Sequence, residues 1–136
     1  MTSDERACYN ARMKTNTTCS YKDLIVWQKG ISLAKLVYDL TRGFSIEEKF
    51  GIVAQMRRAA ISIPSNIAEG QARRTTREFI QFVSHAEGSV AELDKQTIPS
   101  IELEFCSGTE AESAFALISE VRRMLNALRR KLAARQ

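Results

Sequence analysis

An all-α fold, four helices packed up-down-up-down around one core, is what this sequence predicts. Three observations carry that reading. Apolar residues recur at spacings of three and four through most of the chain. Capping boxes of the S/T-x-x-E type stand at Ser45–Glu48, Thr75–Glu78 and Thr109–Glu112, where helices would begin. Only 2 prolines and 6 glycines punctuate 136 residues, too few for a chain of short strands and tight turns. This length suits one domain, and 44% hydrophobic residues suffice for its core.

Residues 1–20 carry few apolar positions and no period, so they read as a disordered extension, with Met13 an alternative start. The bundle is expected over residues 21–136. In the first helix, Tyr21 to Phe44, one row holds Leu24, Trp27, Ile31, Ala34 and Tyr38. A second holds Val26, Leu33, Val37, Leu40 and Phe44. Together they cover roughly 160°, wider than the ~100° stripe of an ordinary surface helix. Such a helix must bury two flanks, in its own bundle or against a second subunit. Gly43 suits its C-terminal cap.

The second helix is expected from the Ser45 box, with Phe50, Val53, Met56, Ala60, Ile63 and Ile67 inward and a stop at Gly70. Pro64 falls inside it, removes the hydrogen bond to the Ala60 carbonyl and should kink it. The third helix carries Phe79, Phe82, Val83, Ala86, Val90, Leu93 and Thr97, with Glu87, Glu92 and Asp94 on the solvated side. Pro99 should interrupt or end it near Thr97, leaving Ile101–Phe105 as a kinked continuation or an irregular segment. The last helix, from the Thr109 box, carries Ala111, Phe115, Ile118, Val121, Leu125, Leu128 and Leu132.

Several classes of chemistry are disfavoured. No run reaches the ~18–20 apolar residues of a membrane span, and the polar N-terminus has no signal-peptide core, so a cytoplasmic protein without a membrane partner is expected. The three cysteines, Cys8, Cys19 and Cys106, form no CxxC pair. His85 is the single histidine; His85-Ala86-Glu87 mimics the H-x-E of zinc deaminases but lacks their P-C-x-x-C. No phosphate-binding glycine loop, zincin motif or nucleophile elbow occurs. Neither an enzyme nor a cofactor is expected.

The stretch Ser62-Ile63-Pro64-Ser65-Asn66-Ile67-Ala68-Glu69-Gly70 is unusual for a helix end. With Tyr21–Gln28 before it, Gln55–Ala60 beside it, and Arg77-Glu78-Phe79, Gly88-Ser89 and Glu92-Leu93 after it, the chain resembles a known family. This is the four-helix-bundle family encoded in intervening sequences of bacterial 23S rRNA genes. The resemblance covers roughly residues 21–97, and the last helix by character only. It implies assembly as a ring, a pentameric homo-oligomer. A related branch, the accessory protein of diversity-generating retroelements, binds a reverse transcriptase and nucleic acid. No enzymatic activity is established for the family. Two departures stand out: the extension over residues 1–20, and Pro99 with the segment after it, where the family has continuous helix.

The net charge, 20 basic against 16 acidic residues, is +4. Arg57 and Arg58 lie mid-helix, and Arg73, Arg74 and Arg77 surround the second connection. The last helix holds Arg122, Arg123, Arg129, Arg130, Lys131 and Arg135 with no acid from residue 121 onward. Arg122/Arg129 and Arg123/Arg130 are each seven apart and form two adjacent rows. Such rows suit phosphates along a nucleic-acid backbone. The plainer reading is a solvated face that complements the helix dipole at its C-terminus. Among motif residues, Asn66 and Glu69 either satisfy backbone groups freed by Pro64 or bridge to a neighbouring helix or subunit, and Trp27 reads as core or interface. The expected protein is an oligomeric bundle that binds RNA or an RNA-handling protein. The alternative is a protein-binding scaffold, such as an accessory subunit of a reverse transcriptase.

Overall fold

The computed structural model describes residues 20–135, so the expected N-terminal extension lies outside the described residues, apart from Ser20. Among them there are four long helices and no strand: α1 (Ile25–Arg42), α2 (Ile52–Gln71), α3 (Thr76–Glu102) and α4 (Gly108–Ala133). Each helix packs on its neighbour in the chain, and α1 closes the bundle against α4. Short connections make consecutive helices antiparallel, which is the expected up-down-up-down order.

Most of the predicted stripe positions form the core, but Phe82 of α3 and Ile31 and Tyr38 of α1 are only half-buried and lie outside it. Leu33, Met56, Ile63, Ile67, Leu93, Ile118, Leu125 and Leu132 are all completely buried. A single 3-10 turn, Tyr21–Asp23, leads into α1; Ser20 caps it, and Gln28 Nε2 donates to the Lys22 carbonyl at 2.9 Å. Trp27 is half-buried against the core and meets the Tyr21 ring edge-on at 5.1 Å. Gly43 takes the C-cap of α1 with an ordinary φ of −80°.

The second helix begins later than the sequence suggests. Ser45 caps only a short 3-10 turn, Ile46–Glu48, and α2 starts at Ile52 after Gly51. Phe50, expected in the core, is 89% exposed. It lies before the first helical residue, so the helical period that would align it with Val53 does not reach it. Pro64 sits inside α2 without ending it, its ring packed against Gly30 of α1. The helix also passes Gly70, the expected stop, by one residue.

Thr75 caps α3 as predicted, accepting from the Glu78 amide at 3.1 Å. Pro99 does not end the helix, which runs unbroken to Glu102. Both Pro99 and Lys95 lie on the exposed side of the helix, where water can satisfy the Lys95 carbonyl that loses its intrahelical donor. The helix ends in a Schellman motif: the Phe105 amide bonds the Ser100 carbonyl and the Glu104 amide that of Ile101, both at 2.9 Å. The capping box of α4 lies two residues upstream of the predicted one. Ser107 Oγ accepts from the Glu110 amide at 3.0 Å, and Glu110 Oε1 accepts from the Ser107 amide at 2.9 Å. Two overlapping S/T-x-x-E matches compete here, and the upstream one is realised.

Candidate nucleic-acid interface

The basic rows of α4 resolve into two different environments. Arg122 and Arg129 flank the buried stripe Val121, Leu125, Leu128 and Leu132, on the side facing α3. Glu87 and Asp94 flank the α3 stripe in the same way. Arg129 Nε donates to Glu87 Oε1 at 2.7 Å, and Arg122 Nη2 lies 3.2 Å from Asp94 Oδ2. Both acids, expected on the solvated side, are therefore partners across the α3–α4 seam. The expected phosphate row Arg122/Arg129 is correspondingly a neutralised one. Arg129 is further held by Asn126 Oδ1 at 3.2 Å.

Two more predicted arginines serve the fold. Arg57 crosses to α1, donating through Nε to Thr41 Oγ1 at 2.9 Å, with its guanidinium 4.5 Å from the Tyr38 ring centre. Arg73 pairs with Glu69 one turn back and stacks over the Phe82 ring at 4.8 Å. Arg58, Arg74, Arg77, Arg123 and Arg130 are exposed. Arg123 donates to Ser119 Oγ at 2.9 Å on its own helix. No ion pair among the described residues engages Arg58, Arg74, Arg77 or Arg130.

The topology sorts charge to the two ends of the bundle. The α2–α3 connection, the start of α1 and the last turns of α4 share one end. Lys22, Arg73, Arg74, Arg77, Arg129, Arg130 and Lys131 lie there, against Asp23, Glu69 and Glu78. The α1–α2 and α3–α4 connections share the other, where Phe44 and Phe105 meet with ring centres 5.7 Å apart. That end holds Glu47, Glu48, Glu102, Glu104, Glu110 and Glu112, with Lys49 and Arg42 as its bases, and Arg42 pairs with Asp39. The sequence names the basic residues of α2, of the α2–α3 connection and of α4 as separate groups; the polarity appears only when connections distant in sequence are brought together.

The motif around Pro64 builds the α2–α3 seam. Ser62 Oγ meets Ser89 Oγ at 2.7 Å across it. Asn66 Nδ2 holds Ser62 in place, donating to its carbonyl at 2.8 Å and to its hydroxyl at 3.0 Å. Gly70 marks the closest approach: a Cβ there would stand 2.7 Å from Phe82 Cβ and 3.1 Å from Phe79 Cδ1. His85 is exposed, its ring edge-on to Phe82 at 5.9 Å. Between α1 and α2, Ile31, Ala34, Tyr38 and Ile61 line an open apolar groove of about 430 Å³, edged by Lys35, Asp39 and Arg42.

Burial pushes the Cys106 thiol up, and the nearby Glu110 carboxylate adds to the shift. Among the described residues, no cluster of His, Cys, Asp and Glu could hold a metal ion, and no helix is long and apolar enough to cross a membrane.

These features define an all-α four-helix bundle with one basic end and a polar, glycine-closed α2–α3 seam. The family described as 23S rRNA-intervening sequence protein matches residues 22–127, and the chain belongs to it. A crystal structure of a protein of unknown function from Bacteroides thetaiotaomicron, of the S23 ribosomal protein family, is similar in fold. It superposes with a TM-score of 0.71 at 23% identity, covering 76% of this chain and 96% of that one. No match is found among curated proteins.

Proposed function

We propose that this protein is a non-enzymatic, cytoplasmic homo-oligomer that binds RNA through the basic end of its bundle. One observation carries the reading: Arg74, Arg77 and Arg130 are exposed and make no ion pair among the described residues, at an end rich in further bases. The family's association with 23S rRNA intervening sequences supports RNA as the polyanion. The contacts are to phosphates, so binding is salt-sensitive and nearly indifferent to sequence.

Assembly as a ring, a pentamer, is part of the same proposal. The α1–α2 groove supports it, because Ile61 is 45% exposed beside half-buried Ile31 and Tyr38. A ring would repeat the basic end and make modest contacts multivalent.

The test is titration of labelled single-stranded RNA at two salt concentrations. Arg74→Glu, Arg77→Glu and Arg130→Glu combined should abolish binding while leaving circular dichroism unchanged. The slope of log affinity against log salt should be near −0.7 per phosphate neutralised. Undiminished affinity in the triple variant would refute the assignment of this end.

A further inference from the structure

The opposite end of the bundle carries three large apolar side chains in solvent. Ile46 is 84% exposed, Phe50 89% and Leu103 64%. They come from two connections far apart in sequence, which the Phe44–Phe105 contact brings together. Their neighbours are acidic: Glu47, Glu102 and Glu104 are all exposed. Lys49, the base among them, lies 5.6 Å from the Phe50 ring centre.

The backbone supplies a second, independent observation. Glu104 has a φ of 63° and is the one residue among those described that is non-glycine in the left-handed region. It occupies the position of the Schellman motif where glycine is usual, because a Cβ there is strained. The chain thus holds a carboxylate, next to exposed Leu103, at a site where local conformational preference calls for glycine. Strain of this kind persists where the surroundings over-determine it, and it clusters at functional sites.

We infer that this end is a docking surface for a basic, amphipathic helical segment of a partner protein. The apolar side chains would receive the segment's apolar face, and the rim of carboxylates its lysines or arginines. Charge complementarity calls for a basic occupant, and the exposed apolar side chains call for one with an apolar face as well, which the basic helix of a second copy lacks. The bundle's own basic helix, α4, has its apolar stripe buried in the core at Val121, Leu125, Leu128 and Leu132 and offers no apolar face to another molecule. The inference stands independently of RNA binding at the other end.

Fluorescence anisotropy on the full-length protein tests it. The probe is a labelled 14-residue peptide with leucine and lysine at helical spacing. Controls are a scrambled peptide of the same composition and a version with glutamate for lysine. The helical basic peptide should bind at least tenfold more tightly than either control. Phe50→Ser with Leu103→Ser should weaken it tenfold or more, with unchanged circular dichroism, RNA affinity and light-scattering mass. Glu104→Gly should weaken it severalfold while raising the urea midpoint, a combination that a purely structural role does not produce. Equal affinity for the scrambled peptide, or an undiminished one in the double variant, would overturn the inference. A fall in light-scattering mass in that variant would overturn it too, by showing that a second copy covers this end.

Discussion

Arg129 of α4 places its Nε 2.7 Å from Oε1 of Glu87 on α3, and seven residues along each helix the same pairing recurs between Arg122 and Asp94. Because the helices run antiparallel, the two pairs fix one register for the α3–α4 hairpin. A slip by one turn would leave both arginines without their acids.

The pairs are partly exposed, so each should stabilise by only about 0.5–1 kcal/mol. Arg129→Glu sets two carboxylates against each other and should lower the melting temperature by several degrees. Adding Glu87→Arg should recover most of that loss. A thermal melt of the four proteins in a double-mutant cycle measures the coupling, which should shrink in high salt. The same consideration bears on charge reversal across α4. Changing Arg122 and Arg129 together tests stability as well as any nucleic-acid contact, whereas Arg130 lies outside the ladder.

Gly70 and Gly88 should respond oppositely to alanine. At Gly70 the new Cβ would stand 2.7 Å from Phe82 Cβ, so α2 and α3 must separate. The cost should be about 1–3 kcal/mol. At Gly88, mid-helix and exposed, a Cβ meets nothing within 4 Å. Alanine there should stabilise by up to about 1 kcal/mol through helix propensity. Urea unfolding of the two variants gives both signs.

The Ser107–Glu110 box should make stability depend on pH. Hydrogen bonds from the Ser107 amide and hydroxyl hold the Glu110 carboxyl below its usual value. A carboxylate lowered in the folded state stabilises fully above its unfolded pKa, ~4.3, and that contribution is lost as pH falls through the lower folded value. The melting temperature of wild type should therefore exceed that of Glu110→Gln at neutral pH, and the gap should close in acid. Ser107→Ala should cost about 1 kcal/mol at pH 7 through loss of the cap.

The stripes of α3 and α4 were legible in the sequence because their apolar positions keep one helical phase over many turns. Phe50 escapes the helical pattern because its spacing to Val53 is helical while its backbone is not; Gly51 intervenes. Pro99 leaves α3 unbroken, because proline removes one hydrogen bond and a carbonyl on the exposed side of a helix can bond water instead. The arginines show a different limit. The sequence contains Glu87 and Asp94 seven apart and Arg122 and Arg129 seven apart, so the pairing could have been proposed from matched spacing. Choosing it over free rows required the register of two helices, which no single-helix pattern contains. The polarity of the bundle's ends likewise depends on which connections lie side by side.

That polarity has a consequence for how the molecule approaches a partner. A body charged oppositely at its two extremities is an electric dipole along its long axis. Near a polyanion it experiences a torque before it experiences contact, and it turns its positive pole inward. Orientation is then settled during approach rather than by trial collisions. The torque is confined to roughly the Debye length, about 8 Å at physiological salt, so the turning happens in the last moments of encounter. A molecule arriving this way leaves its negative pole, with Phe50 and Leu103, pointing out into solution.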